Sequence, residues 1–244
     1  MCRHLAYLGE PVRLGAVLTD PPHSLVVQSW RPRRQLHGVV NADGFGVGWY
    51  VEGLAEPARH RGSGPIWADE TFADLARVIR TPALLAAVRS ATAGTAPGPA
   101  AAAPFRAGRW LFSHNGAIDG WPTAAAELAA CLPPQRLLTI EARTDSSLLW
   151  AAVLDRLEAG VEPAEALADV VRQTSASCSG RLNLLLTDGR TIAATRHGAS
   201  LGWRAVPDGV VVASEPYDDE PGWVDVPEGH LLTANHDGVR TCPI

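Results

Sequence analysis

The hydrophobic and polar positions of the chain follow two different patterns. Apolar runs rich in branched or aromatic residues and bounded by Gly or Pro predict β-strands, whereas apolar residues that recur every three or four positions predict helices. The predicted strands cover residues 25–28, 45–51, 84–88, 110–113, 182–187, 191–195, 210–213 and 231–234. The predicted helices cover residues 69–80, 123–131, 144–157 and 163–172. Strands followed by helices and strands again predict an α+β fold with helices packed outside sheets.

The composition excludes several classes of protein. The 244 residues are 46% hydrophobic and 19% charged, which suits one globular domain over residues 1–244. The net charge is only −5, every one of the 21 basic residues is Arg, and no basic run occurs. We therefore expect no nucleic-acid partner. The oligomeric state stays open.

Neither a membrane segment nor a metal site is predicted. No stretch approaches the roughly 20 apolar residues that span a bilayer, and the amino end lacks a basic region followed by an apolar run, so we expect a cytoplasmic protein without a membrane partner. The four cysteines lie far apart with no CxxC pair, which argues against a disulfide framework and a zinc ribbon. We expect no metal and no other cofactor.

Cys2 is the first candidate for chemistry. Removal of the initiator Met1, which is expected when the next side chain is small, would make Cys2 the first residue. A terminal cysteine combines a thiol with an α-amino group of reference pKa about 7.7–8.0, so that one residue supplies both a nucleophile and a base for amide cleavage. An incidental thiol is the alternative that this residue alone leaves open.

Asn115 and Gly116 form a second candidate in the segment "SHNGAIDG". A predicted strand that ends in a turn through Asn-Gly can aim the Asn carboxamide and the next backbone N–H at one point. Two such donors form an oxyanion hole for the tetrahedral intermediate of acyl transfer. An ordinary Asn-Gly turn is the alternative.

Arg89 and Asp145 form a third candidate. Arg89 ends an apolar strand in "AAVRSAT", where its guanidinium can bind a carboxylate through two hydrogen bonds. Asp145 follows Thr144, a predicted cap, in the first turn of a helix. Together they would bind the α-carboxylate and α-ammonium of an amino acid, although a helix start favours an acidic residue in any case.

These motifs follow one another in a known order: Cys2, Arg89-Ser90-Ala91-Thr92, Ser113-His114-Asn115-Gly116 and Thr144-Asp145-Ser146, with the glycine-rich "NADGFGVGW" between the first two. In this the chain resembles the glutaminase domains of class II glutamine amidotransferases, which are N-terminal nucleophile hydrolases. The resemblance implies a four-layer αββα sandwich of two antiparallel sheets between helix layers.

The resemblance also implies a role for each candidate. Cys2 would be the nucleophile with its own amine as base, and the Asn115 side chain with the Gly116 N–H would form the oxyanion hole. Arg89 would bind the substrate α-carboxylate and Asp145 its α-ammonium. Thr92 would lie near this amino acid head.

Further segments, among them "DPPHSLVVQSW" and "ASEPYDDEPGW", resemble a stand-alone member of this family that removes glutamate from a γ-linked amide. The implied partner is a small-molecule γ-glutamyl substrate whose leaving amine carries a trimethylammonium group. Aromatic faces and carboxylates bind such a cation. Tyr217 and Asp218 are therefore candidates for the leaving-group pocket, and a solvated acidic turn is the alternative.

Two other functions stay open at this point. The chain could be a glutaminase subunit that supplies ammonia to a separate synthetase, in which case it would prefer glutamine. It could also be a non-enzymatic α+β binding protein in which Cys2 is incidental.

Overall fold

Two antiparallel sheets organise the computed structural model, which describes residues 2–92 and 94–244. The predicted removal of Met1 concerns a residue outside the described ones. The strands are β1 (Arg3–Arg13), β2 (Phe45–Trp49), β3 (Ala58–Gly62), β4 (Arg80–Val88), β5 (Phe105–Ala107), β6 (Trp110–Ile118), β7 (Gly180–Thr187), β8 (Ile192–Arg196), β9 (Gly202–Val206), β10 (Gly209–Ala213), β11 (Val224–Asp225), β12 (His230–Asn235) and β13 (Gly238–Pro243). The helices are α1 (Leu14–Leu18), α2 (Leu25–Gln28), α3 (Glu70–Val78), α4 (Ala126–Ala130), α5 (Pro134–Leu138), α6 (Asp145–Glu158) and α7 (Pro163–Ser177).

Strand order places two strands at the heart of the molecule. The first sheet has seven strands in the order β11-β9-β10-β1-β4-β2-β3, and the second has six in the order β13-β12-β8-β7-β6-β5. Strand β1 therefore lies between β10 and β4, and β6 lies between β7 and β5. Strand β1 follows Cys2 directly, and β6 contains Asn115 and Gly116.

Three apolar cores separate four layers. The core between the sheets contains Leu85 of the first sheet with Leu111 and Leu185 of the second. The core outside the first sheet joins its strands to helices α1, α2 and α3. The core outside the second sheet includes Phe112 of β6 stacked on Trp150 of α6, with ring centroids 5.1 Å apart. The expected αββα sandwich is confirmed.

Most predicted elements are confirmed, but the predicted strand at residues 25–28 is wrong. These residues form the short helix α2, which Ser24 caps by accepting a hydrogen bond from the Val27 N–H at 3.4 Å. A run of only three apolar residues, followed here by Gln28, fits a buried helical turn as well as a strand. The predicted helix at residues 123–131 is divided into a 3₁₀ turn (Thr123–Ala125) and α4.

The sequence pattern did not predict β1, although this strand is central to the first sheet. Its first two residues, Arg3 and His4, are polar and completely buried. Charged residues are almost never fully buried unless they are paired, so these two side chains indicate specific partners inside the protein. Those partners lie at the candidate active site.

Within the described residues, we find no helix that combines the length and the apolar character needed to cross a membrane.

Candidate active site

Cys2 lies beside the end of β4. Because β1 pairs with β4 so that Arg3 is opposite Val88, the preceding Cys2 reaches the segment that follows β4. Its Sγ atom lies 3.9 Å from the Ser90 carbonyl oxygen, and the side chain is partly exposed. The sheet register therefore places the thiol next to Arg89.

A small pocket brings Cys2 together with residues from β4 and its end, β5, β6 and α6. Its lining includes Arg89 after β4, His114 of β6, Ser146 of α6 and the apolar ring of Phe105. A larger groove beside β8, β12 and β13 contains none of the predicted site residues. We therefore place the candidate active site at the smaller pocket.

Arg3 fixes the peptide unit of the candidate nucleophile. Its Nε donates to the Cys2 carbonyl oxygen at 2.8 Å, and its Nη1 lies 3.7 Å from Oε2 of the buried Glu215. Burial lowers the pKa of Arg3, and the negative charge of Glu215 opposes that shift. Glu215 also accepts backbone N–H bonds from Arg33 and Arg34 at 2.9 and 2.7 Å. No local pattern in the sequence predicted this ion pair.

Arg89 is a nearly buried cation with 9% exposure. It donates to the Asp43 carbonyl at 3.1 Å, to Thr95 Oγ1 at 2.9 Å and to the Ala96 carbonyl at 3.1 Å. Within residues 2–92 and 94–244, no carboxylate oxygen lies within 4.0 Å of its guanidinium nitrogens. The Thr92 carbonyl accepts the Thr95 N–H at 3.1 Å, so Thr92 begins the turn that brings Thr95 to Arg89.

Asp145 begins α6 one residue before the pocket-lining Ser146. Thr144 caps the helix by accepting the Ser147 N–H at 3.0 Å, as predicted. The Asp145 carboxylate is buried and accepts N–H bonds from Ile118 at 3.1 Å and from Ser146 at 2.8 Å. The positive end of the helix dipole favours a negative charge at this position.

His114 fixes the orientation of Ser146. Its Nε2 lies 2.9 Å from the Arg181 carbonyl oxygen, which can only accept, so Nε2 carries the ring hydrogen. Its Nδ1 is then the acceptor for the Ser146 hydroxyl at 3.0 Å. Burial lowers the pKa of His114 and favours this neutral ring.

Asn115 and Gly116 lie inside β6, so the predicted turn at this position is wrong. Asn115 is fully buried; its Nδ2 lies 3.1 Å from Ser214 Oγ, and its Oδ1 has no hydrogen-bond partner among the described residues. A Cβ atom added to Gly116 would lie 1.7 Å from the Arg181 carbonyl oxygen and 2.5 Å from His114 Nε2. Close packing against β7 therefore requires glycine here.

Tyr217 and Asp218 contact an arginine of the chain itself. The Arg204 guanidinium lies over the rings of Tyr217 and Trp223, 5.4 and 5.3 Å from their centroids, and forms an ion pair with Asp218 at 2.9 Å. Neither Tyr217 nor Asp218 lines the pocket beside Cys2. A cation thus already occupies the aromatic and acidic surroundings, and their contact with a leaving group stays a prediction.

Comparison with known proteins agrees with this arrangement. The model of the family "Glutamine amidotransferases class-II" matches residues 14–207. The chain therefore belongs to the class II glutamine amidotransferase family. The expected recognition and the expectation of an enzyme are confirmed, and the non-enzymatic alternative is not supported.

Curated relatives cover almost the whole chain. It is 42% identical over 216 residues to the gamma-glutamyl-hercynylcysteine sulfoxide hydrolase of Mycolicibacterium smegmatis, a match that covers 87% of this chain and 86% of the relative. It is 41% identical over 240 residues to the protein of the same name from Mycobacterium tuberculosis, covering 98% of this chain and 95% of the relative.

Solved structures share the fold. A glutamine aminotransferase class-II domain protein from Silicibacter pomeroyi matches with a TM-score of 0.72 and 26% identity over 99% of both chains. The glutamine phosphoribosylpyrophosphate amidotransferase of B. subtilis matches with a TM-score of 0.65 and 16% identity, covering 99% of this chain and 49% of that one. The second likeness shows the fold alone.

We predict that Gly116→Ala strongly destabilises the protein. The added methyl group would meet backbone atoms of β7, which cannot move aside as a flexible side chain can. Overpacking of this kind costs about 1–3 kcal/mol or more of the free energy of unfolding, which urea denaturation would measure. Gly64→Ala is the matched control, because a Cβ there meets nothing within 4 Å. Equal stability of the two variants would contradict the close packing described here.

A second prediction concerns the pH dependence of stability. Burial lowers the pKa of His4 well below 6.5, so the unfolded chain binds more protons at this ring than the folded chain as the pH falls below 6.5. The parent should therefore lose stability over that range, by about 1 kcal/mol at pH 5.5 from this group alone. Urea denaturation of His4→Gln should show a shallower loss between pH 7.5 and 5.5, whereas His37→Gln, at an exposed site, should follow the parent. Parallel curves for the parent and His4→Gln would contradict the prediction.

Proposed function

We propose that the chain is an amidohydrolase that cleaves the γ-glutamyl amide of γ-glutamyl-hercynylcysteine sulfoxide. The products are glutamate and hercynylcysteine sulfoxide, and the reaction belongs to ergothioneine biosynthesis. The observation that carries the proposal is the nearly buried Arg89 beside Cys2, a cation with no carboxylate partner among the described residues. The two relatives that bear the hydrolase name support it over nearly the whole chain.

The amino acid head of the substrate complements the charges around the pocket. Arg89 binds the α-carboxylate, with Thr92 at the start of the turn that orients Arg89. Asp145, a buried carboxylate without a cationic side-chain partner among the described residues, binds the α-ammonium. Charge-assisted hydrogen bonds of this kind are stronger than neutral ones and fix orientation. A γ-glutamyl group held at its head in this pocket has its amide carbonyl within reach of the Cys2 thiol.

The reaction proceeds through a covalent thioester. After removal of Met1, the α-amine of Cys2 accepts the thiol proton as Sγ attacks the γ-carbonyl carbon, and it then protonates the departing amine. Water, deprotonated by the same amine, attacks the γ-glutamyl thioester. The C–S bond then breaks, the Cys2 thiolate takes its proton back from the α-ammonium, and glutamate is released. Each tetrahedral intermediate carries a negative oxygen, which the Asn115 carboxamide and the Gly116 N–H stabilise.

The substrate's leaving amine distinguishes this reaction from glutamine hydrolysis. The same head group and the same scissile carbonyl occur in glutamine, whose leaving group is ammonia. A glutaminase that serves a separate synthetase therefore remains the second candidate, and the family to which the chain belongs favours it. The involvement of Tyr217 and Asp218 in binding the bulky amine stays a prediction, since Arg204 occupies their surroundings.

Three further expectations stay predictions. Residues 1–244 act as one catalytic domain, the protein is located in the cytoplasm, and its partner is a small molecule rather than a nucleic acid or a membrane.

The deciding experiment measures glutamate release from γ-glutamyl-hercynylcysteine sulfoxide and from glutamine. We expect a strong preference for the sulfoxide and no release by Cys2→Ala from either compound. Arg89→Gln should lower kcat/KM by about 100-fold or more, because it removes the charge that binds the α-carboxylate. Arg77→Gln is the matched control, since Arg77 is exposed on α3 and, among the described residues, pairs with Asp74 alone.

The outcomes separate the candidates. A preference for glutamine would support the glutaminase and overturn the hydrolase proposal. An active Cys2→Ala variant would show that the nucleophile lies elsewhere. Full activity of Arg89→Gln would show that Arg89 does not bind the substrate α-carboxylate, and would overturn the argument on which the proposal depends.

A further inference from the structure

Ser214, the residue that follows β10, is fixed in position by its own backbone. Its N–H donates to the His4 carbonyl at 2.9 Å, which extends the pairing of β10 with β1. Its carbonyl accepts the Ser200 hydroxyl at 2.6 Å. Its side-chain oxygen accepts the His4 N–H at 3.0 Å, and the residue is fully buried. The Ser214 hydroxyl therefore has a defined position relative to β1, the strand that follows Cys2.

The same hydroxyl joins the two sheets at the candidate active site. Ser214 extends a strand of the first sheet, and its Oγ lies 3.1 Å from the Asn115 carboxamide nitrogen on β6 of the second sheet. One oxygen atom thus contacts both the β1 segment that follows Cys2 and the side chain that would bind the oxyanion. Within the described residues, no other hydrogen bond involves the Asn115 carboxamide.

The donors and acceptors around Ser214 determine the orientation of the Asn115 carboxamide. If Nδ2 faces Ser214, Oγ accepts two N–H groups, the hydroxyl hydrogen has no acceptor among the described residues, and the buried Asn115 Oδ1 is also unpaired. If the amide is turned by 180°, the hydroxyl donates to Oδ1 while still accepting the His4 N–H. The oxygen and nitrogen of an amide are told apart by such networks, and buried polar atoms are normally paired.

We propose that Ser214 is a positioning residue that holds the Asn115 carboxamide with Oδ1 on its hydroxyl and Nδ2 directed at the developing oxyanion. This inference rests on the proposed function, in which Asn115 binds the negative oxygen of the intermediate. The unpaired side of the carboxamide is the side left for the substrate. Ser214 acts through Asn115 and does not touch the substrate.

The positioning role has a kinetic consequence. The charge on the oxygen develops only in the transition state, so a misplaced oxyanion donor lowers kcat far more than it changes KM. Removal of a whole oxyanion donor costs about 10²–10³ in kcat. We therefore expect Ser214→Ala, which frees the carboxamide to rotate, to lower kcat by about 10- to 100-fold with KM nearly unchanged.

A double-mutant cycle tests whether Ser214 acts through Asn115. In the Asn115→Ala background, Ser214→Ala should lower kcat by less than about threefold further, because the side chain that it orients is gone. The matched control is Ser29→Ala, since Ser29 is equally buried and, within the part of the chain that the structure describes, its hydroxyl donates to the Val26 carbonyl alone. It should keep the parent kcat. Additive losses in the cycle would overturn the inference.

Alkylation of Cys2 by iodoacetamide separates positioning of Asn115 from general disorder of the site. This displacement reaction forms no oxyanion, so the rate at Cys2, followed by peptide mass spectrometry, should be the same in the parent and in Ser214→Ala. A parallel fall in alkylation and hydrolysis would mean that Ser214 supports the Cys2 segment rather than Asn115, and would overturn the inference.

Failure of this inference is distinguishable from failure of the proposed function. Hydrolysis is followed with both γ-glutamyl-hercynylcysteine sulfoxide and glutamine. A parent that hydrolyses neither overturns the proposed function, and this inference with it, because no oxyanion would form. An active parent with an equally active Ser214→Ala variant overturns this inference alone.

Discussion

The chemistry of the candidate active site depends on how β1 and β6, strands of different sheets, face each other. Cys2 precedes β1 and Asn115 lies in β6, so neither sheet alone contains both the proposed nucleophile and the proposed oxyanion donor. Apolar packing of residues such as Leu85 against Leu111 sets the spacing of the sheets but has no directional preference. Direction comes from hydrogen bonds that cross the interface, among them Ser214 to Asn115 at 3.1 Å and His4 to Ser113 at 3.2 Å.

Burying a polar group costs free energy, and several buried polar side chains lie together around the candidate active site. Arg3, Glu215, His4, Ser214 and Asn115 are all inaccessible to solvent. A buried ion pair seldom adds stability over apolar packing, whereas breaking one by removing a partner is strongly destabilising. Arg3 donates a hydrogen bond to the Cys2 carbonyl oxygen and forms an ion pair with Glu215, which accepts hydrogen bonds from the backbone N–H groups of Arg33 and Arg34. The contact of Arg3 with the Cys2 carbonyl gives a physical reason for this buried charged pair, because it fixes the backbone of the proposed nucleophile.

Sequence patterns predicted most of the helices and strands, and the family resemblance implied the four layers, but neither predicted the contacts that join the two sheets. Periodicity located α6 with its Thr144 cap, and the order of the motifs along the chain indicated Cys2, Arg89, Asn115 and Asp145. The sequence did not predict the buried contacts that support these residues, because the partners are far apart along the chain. Ser214 is 99 residues from Asn115, and Arg3 is 212 residues from Glu215. Local patterns contain no information on such pairs. The same limit applies to Tyr217 and Asp218. An aromatic ring and a carboxylate suited a site for the cation of the substrate, but in the structure they contact Arg204.

The most direct test of the central claim is a crystal structure of the protein after reaction with a diazoketone analogue of glutamine, which alkylates a nucleophile positioned at the γ-carbonyl. We expect an adduct on Cys2 Sγ alone, with the analogue's ketone oxygen within about 3.2 Å of the Asn115 carboxamide nitrogen and the Gly116 nitrogen. The α-carboxylate should lie on Arg89 and the α-ammonium on Asp145. An adduct on Cys131, Cys178 or Cys242, or an amino acid head bound away from Arg89, would contradict it.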